Sequence, residues 1–229
     1  MAAQHDDDAS ARAARVSEDI QREYADALLA GDAVAAETAI GEGIQAGLGE
    51  ARIYDGVIRP ALQMLGDLWA CGQISVAQEH LATSITMRVL VLQREAFRLA
   101  RQRSSHRVLL AAAQGELHVV GLEMAASLLR NAGYEVRLFG ADLPVADIAA
   151  AVDMHKPVAI GFTTATLGTA INLPPAFQAA RDTDPEIGIL VGGGAIADGW
   201  EGSWGVVVCR HVADAIEHVD AFVKRASRN

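Results

Sequence analysis

The stretch Val108-Leu109-Leu110-Ala111-Ala112-Ala113-Gln114-Gly115-Glu116-Leu117-His118-Val119-Val120-Gly121 decides the fold of this chain. It opens on an unbroken apolar run, the pattern of a strand buried on both faces rather than of one with a wet side. A short polar loop carrying a carboxylate and an imidazole follows, and then a helical segment near 119–132. Four further β-rich runs lie downstream: YEVRLFG (134–140), PVAIGFT (157–163), IGILVGGG (187–194) and WGVVVC (204–209). Helical segments near 145–154, 168–181 and 212–226 separate or follow them. Strands alternating with helices predict a doubly wound parallel five-stranded sheet. The right-handed crossover rule favours a flavodoxin-like, Rossmann-like strand order.

Upstream the pattern changes. From Ala11 to about Ala100 apolar residues recur at threes and fours, as in Ile20, Tyr24, Ala27 and Leu28 and again in Leu62, Leu65, Leu68 and Trp69. That is helical periodicity. Breaks at Gly31-Asp32, Gly47-Leu48-Gly49 and Cys71-Gly72 give a bundle of four or five helices. Pro60 suits a helix kink or a first turn. Ser75 with Gln78 three residues on forms a capping box, which starts a long helix running to about Leu99 and places Glu79 and His80 in its first turns. The expected organisation is a disordered acidic lead-in over 1–13, a helical bundle over 14–100, a polar linker over 101–107 and an α/β domain over 108–229.

The 229 residues carry a formal charge of −10 and no Lys/Arg-rich run. Phosphate contacts need clustered cations, so direct nucleic-acid binding is not expected. No apolar stretch approaches the ~20 residues of a membrane span, and the first residues lack a signal-peptide pattern. Cys71 and Cys209 stand far apart with no metal-binding spacing. Two reduced thiols in a cytoplasmic protein are the expectation.

Ligands of doubly wound sheets bind at the carboxyl ends of the strands, where His118, Thr163 and Gly192-Gly193-Gly194 all fall. A metal-binding imidazole gives its other ring N–H to an acceptor that fixes the tautomer. Glu116 suits that part, a Thr163 hydroxyl would extend the relay, and Gly121 permits close backbone approach. The glycine run leaves a slot at the end of the fourth strand. No Gly-Lys-Ser/Thr follows it, and the turn after the first strand is QGELHVVG rather than GxGxxG, so nucleotide fingerprints fail.

Glu116-x-His118-x-x-Gly121, Thr163-Thr164-Ala165 and Gly192–Gly194 resemble the cobalamin-binding signature DxHxxG, SxL and GG. That signature occurs in methionine synthase, corrinoid methyltransferase proteins and cobalamin photoreceptors. The resemblance covers about 107 to 226. It implies that His118 is the lower axial cobalt ligand, that Glu116 and Thr163 are its relay, that Thr164 lies in the same cofactor-binding segment, and that the glycines floor the slot for the dimethylbenzimidazole tail. Glu116 replaces the usual Asp, and Ala165 the usual Leu. Upstream, Trp69 and, after nine intervening residues, Glu79-His80 resemble the Trp-x9-Glu-His motif of CarH-type photoreceptors. There the bundle caps the upper face of adenosylcobalamin. Some members carry a histidine directly after the tryptophan, where this chain has Ala70.

By resemblance, the expected function is a light-sensing adenosylcobalamin-binding regulatory module, more sensor than enzyme, without the DNA-binding helix-turn-helix of full-length photoreceptors. A homodimer or higher homo-oligomer and a regulatory protein partner are implied. A bilin such as biliverdin accompanies the corrinoid in some relatives, although no attachment-cysteine context is visible here. The alternatives are a corrinoid methyl carrier of a methyltransferase system and a cobalamin carrier.

Overall fold

The computed structural model describes residues 2–94, 96–97, 104–196 and 204–228, and the chain divides into two compact units, Met1–Arg98 and Leu99–Asn229. The first unit contains α1 (Ala2–Ala30), α2 (Ala33–Gln45), α3 (Glu50–Ile53), a π-helical turn (Tyr54–Ile58), α4 (Arg59–Ala70) and α5 (Val76–Gln93). α1 begins inside the stretch expected to be disordered. Ala2, Ala3, Ala9, Ala11, Ala13 and Ala14 give that stretch high helix propensity, and it continues into the periodic part of α1. α5 ends at Gln93, short of the expected Leu99.

Two local features set the geometry of the bundle. Pro60 has no N–H, so the carbonyl of Gly56 loses the partner an unbroken α-helix would give it. The helix relaxes into the π-helical turn, with Arg59 N–H donating to Tyr54 O, and the Ser17 hydroxyl of α1 donates to Gly56 O at 3.2 Å. A side chain at position 56 would meet Ser17 Oγ at 2.6 Å, so glycine there allows α1 to approach. The second feature is the capping box of α5. Ser75 Oγ accepts from Gln78 N–H and the Gln78 side chain accepts from Ser75 N–H, as the sequence predicts. The core of the unit is Ile20, Tyr24, Leu28, Ile40, Ile53, Val57, Ile58, Leu65, Ile85 and Val89. Tyr24 donates to Thr86 Oγ1, which donates to Ala82 O, so this buried hydroxyl pair is satisfied.

The second unit runs β1 (Arg107–Ala112), α6 (Val120–Asn131), β2 (Glu135–Gly140), α7 (Val145–His155), β3 (Ala159–Thr163), α8 (Leu167–Ala170), α9 (Leu173–Thr183), β4 (Gly188–Gly192), β5 (Val207–Cys209) and α10 (Asp214–Ala226). Residues 101–103 of the expected linker lie outside the described residues, and its last residue, Arg107, already belongs to β1. The five strands are all parallel in the order β2-β1-β3-β4-β5, the flavodoxin-like arrangement. Both faces are covered. Leu109 and Ala111 join a core with Ile148, Val152, Phe162 and Phe177, whereas Val108 and Leu110 join another with Leu122, Leu129, Leu190 and Val219. This alternation within a continuous apolar run is what a sheet sandwiched by helices requires.

The single helix expected near 168–181 is two, because Pro174 and Pro175 at the start of α9 favour a new first turn. β4 ends before the expected 194. Gly193 adopts φ +114° and turns the chain out of the sheet. Register places Ala112, Thr163, Gly192 and Cys209 level at the carboxyl edge. The order in which strands are added to the sheet reverses between β1 and β3, so the loops following these two strands meet at the switch point.

Gly193 fits nothing larger. A Cβ there would lie 2.0 Å from Thr164 O, while one at Gly194 would have only Ala165 O at 3.7 Å. Gly193→Ala is therefore expected to destabilise the chain by about 2 kcal/mol or more in urea unfolding, with Gly194→Ala within about 0.5 kcal/mol of the parent. Equal stabilities would contradict this account of the turn.

Candidate functional site

The loop from Ala113 to Val119 is held by its own turn and from two sides. Glu116 N–H donates to Ala113 O, and Asp142 N–H donates to Glu116 O at 3.0 Å. Asp142 Oδ1 accepts from Gly115 N–H at 2.6 Å, and the Gln114 side chain accepts from Val145 N–H. The Asn172 amide donates to Gln114 O at 2.8 Å. Gly115 takes φ +83°, a conformation that a side chain would strain. The loop after β2 and the segment between α8 and α9 thus clamp the loop after β1.

Glu116 is the buried centre of this arrangement, only 1% exposed. Its Oε1 accepts from His118 N–H at 2.9 Å and from His118 Nδ1 at 2.5 Å. Its Oε2 accepts from Ala165 N–H at 2.7 Å and from Thr169 Oγ1 at 2.8 Å, with Thr164 Oγ1 more distant at 3.5 Å. Burial pushes its pKa upward, but the N–H groups of His118 and Ala165 and the side chains of His118 and Thr169 all favour the charged form. The balance holds it down to about 2. An ionised carboxylate only accepts hydrogen bonds, so Nδ1 carries the ring proton. Nε2 is then the nitrogen with a free lone pair, on a side chain that is 63% exposed.

One imidazole is not an ion cage, and among the described residues no group of three or more His, Cys, Asp or Glu side chains is placed to hold a metal. A metal bound at Nε2 must bring most of its own coordination sphere. The surroundings suit a broad, partly apolar group: Leu117, Leu167 and Ile171, in the segments that follow β1 and β3, are 71%, 80% and 74% exposed. A Cβ on Gly121 would meet nothing within 4 Å, which leaves open space at the start of α6.

Several expected residues sit differently. Thr163 ends β3 and its carbonyl accepts from Ala113 N–H, but its hydroxyl is not among the partners of Glu116. Successive side chains of an extended chain point to opposite faces, so only one of Thr163 and Thr164 can turn toward Glu116, and it is Thr164. Thr169 is the residue that the sequence reading missed. Its only signal is the Thr166-x-x-Thr169 spacing, which N-caps α8. At Gly193 the volume expected to be a slot is taken by the Thr164 backbone, whose N–H donates to Gly192 O. Gly193 thus positions Thr164 and Ala165 against Glu116, and space remains beside Gly194.

In the helical unit, Trp69 lies in the last turn of α4 and is 49% exposed. Glu79 Oε2 meets His80 Nδ1 at 2.6 Å, and Glu79 Oε1 accepts from Thr83 Oγ1 at 3.0 Å. The structure therefore pairs Glu79 with His80, as far as the first turn of α5 allows, and leaves the His80 ring 74% exposed.

The depressed pKa of Glu116 makes a pH prediction for the protein alone. Its ionisation adds stability that is fully present above the ordinary carboxylate value of 4.5 and is lost as pH falls toward about 2. Between those limits the parent is expected to lose on the order of 2 kcal/mol more than Glu116→Gln. Parallel stability–pH curves in urea unfolding would contradict the assignment.

Two family models, each described as a B12 binding domain, match residues 20–92 and 106–220. The HTH-type transcriptional repressor CarH of Myxococcus xanthus is 32% identical over 153 residues, 66% of this chain and 50% of that protein. The chain thus spans about half the length of that relative. Trimethylamine corrinoid protein 2 of Methanosarcina acetivorans is 24% identical over 90% of this chain and 98% of its own length. Among solved structures, the Methanosarcina barkeri monomethylamine corrinoid protein superposes with a TM-score of 0.78 at 14% identity, over 90% of this chain and 99% of that one, which supports the fold. The sheet order, the exposed imidazole anchored by a buried carboxylate and both matches agree: this chain belongs to the B12-binding domain family, close to CarH.

Proposed function

We propose that this chain is a light-sensing, cobalamin-binding regulatory module that takes adenosylcobalamin and answers light with a change in self-association or partner binding. The single observation that carries the cobalamin part is the Glu116–His118 pair, which frees Nε2 on an exposed ring. His118 would hold the cobalt through Nε2. Glu116 would hold its tautomer, and Gly121 and Gly194 would leave room for the ligand to approach. The group these residues would hold, adenosylcobalamin, would supply a light-sensitive cobalt–carbon bond.

The light-sensing part is supported by Trp69, Glu79 and His80 and by the likeness to the CarH repressor. An exposed indole offers a face for an adenine ring, and a carboxylate–imidazole pair can hydrogen-bond a nucleoside. Each good aromatic contact is worth about 1 kcal/mol. Such a module switches only if the adenosyl form favours one arrangement over another.

The second reading is a corrinoid methyl carrier. It is favoured by the match to trimethylamine corrinoid protein 2 across nearly its full length. A cobalamin carrier without signalling is the third.

The test loads the protein with adenosylcobalamin in the dark and follows its visible spectrum and gel-filtration volume before and after green light. The photoreceptor reading expects a spectral conversion together with a shift in elution. Trp69→Ala should weaken retention of the adenosyl form about tenfold, equivalent to roughly 1.4 kcal/mol. Tight binding with no light-dependent change in assembly would overturn the sensor and favour the carriers. Unchanged retention in Trp69→Ala would remove the proposed role of the indole.

A further inference from the structure

The hydroxyl that completes the Glu116–His118 pair comes from α8 and not from the end of β3. Thr169 Oγ1 lies 2.8 Å from Glu116 Oε2, 2.6 Å from Thr164 Oγ1, and 2.9 Å from Thr166 Oγ1. A hydroxyl has one proton and two lone pairs. The strongest acceptor within reach of Thr169 is the carboxylate, because hydrogen bonds to an ionised partner are about twice as strong as neutral ones. With its proton on Glu116, Thr169 can accept from both Thr164 and Thr166.

We infer that Thr169 is a positioning residue: the terminal donor of a three-threonine chain that fixes the rotamer of Glu116 and, through it, the ring of His118. This rests on the reading of His118 as the cobalt ligand. α8 is itself anchored at both ends. Thr166 caps it by accepting from Thr169 N–H, and Asn172, just beyond it, donates to Gln114 O. Thr169 is therefore delivered to Glu116 by a helix whose two ends are fixed, whereas Thr163 is committed to the sheet. Chained hydroxyls polarise one another, so the last donor holds its acceptor more firmly than an isolated threonine would.

The experiment compares Thr169→Val, which keeps the shape and removes the hydroxyl, with Thr169→Ser, which keeps the hydroxyl. Thr163→Val serves as the alternative position, and Thr169→Ala is a second hydroxyl-free variant should valine prevent folding. The first readout is the ring-nitrogen NMR of His118 in the protein without corrinoid. Valine is expected to broaden or shift the Nδ1–H signal, and serine to restore it. The second is affinity for aquocobalamin, expected to fall about tenfold in Thr169→Val and to return within about twofold in Thr169→Ser, the usual scale for partners that orient a metal ligand. An unaltered ring signal in both hydroxyl-free variants, no rescue by serine, or the same losses in Thr163→Val would each overturn the inference. Absence of aquocobalamin binding by the parent would sink the function reading alone, since the ring-nitrogen measurement needs no corrinoid.

Discussion

A single buried carboxylate organises the functional end of the α/β unit. Glu116 joins the loop after β1 to the loop after β3 by accepting on one oxygen from His118 and on the other from Ala165 and Thr169. Burying such a charge without donors would cost several kcal/mol, and removing any one donor would leave part of that cost uncompensated. The arrangement is stable because backbone N–H groups supply part of the compensation and are fixed by the fold. The same donors that stabilise the loop keep Glu116 ionised, and its charge dictates which nitrogen of His118 is left free. Structure and chemistry here share one set of hydrogen bonds.

The sheet makes that set possible. Parallel register brings the ends of β1, β3 and β4 level, and the reversal of strand order between β1 and β3 opens the crevice into which their loops project. Gly193 then lets the chain after β4 press against the Thr164 backbone, close enough that no Cβ would fit. The glycine acts three steps from the imidazole: it holds Thr164 and Ala165, Ala165 N–H holds Glu116, and Glu116 holds His118. Clamps from Asp142, Gln114 and Asn172 oppose it from the other side.

Much of this was readable from the residues. Continuous apolar runs at regular spacing identified the strands and their order, and helical periodicity with Ser75 and Gln78 identified α5. His118 and Glu116 were legible because they follow a first strand with the spacing Glu116-x-His118-x-x-Gly121, which resembles the cobalamin-binding signature. The rest was hidden for physical reasons. Thr169 lies far along the chain from Glu116 and reaches it through a short helix that periodicity does not reveal. Ala165 contributes only a backbone N–H, which leaves no trace in residue identity. Glycine can signal open space or a tight backbone contact, and the structure separates Gly193 from Gly194 on that point. α1 reached farther than expected because alanine propensity outweighed the acidic composition of the first residues.

The central claim is that Glu116 leaves Nε2 of His118 free to bind cobalt. The most direct test is electron paramagnetic resonance of the protein loaded with cob(II)alamin, prepared with natural-abundance and with 15N-labelled histidine. The account predicts nitrogen splitting from the axial ligand that changes its multiplicity on histidine labelling and disappears in His118→Ala. Splitting insensitive to the label, or retained in that variant, would contradict it.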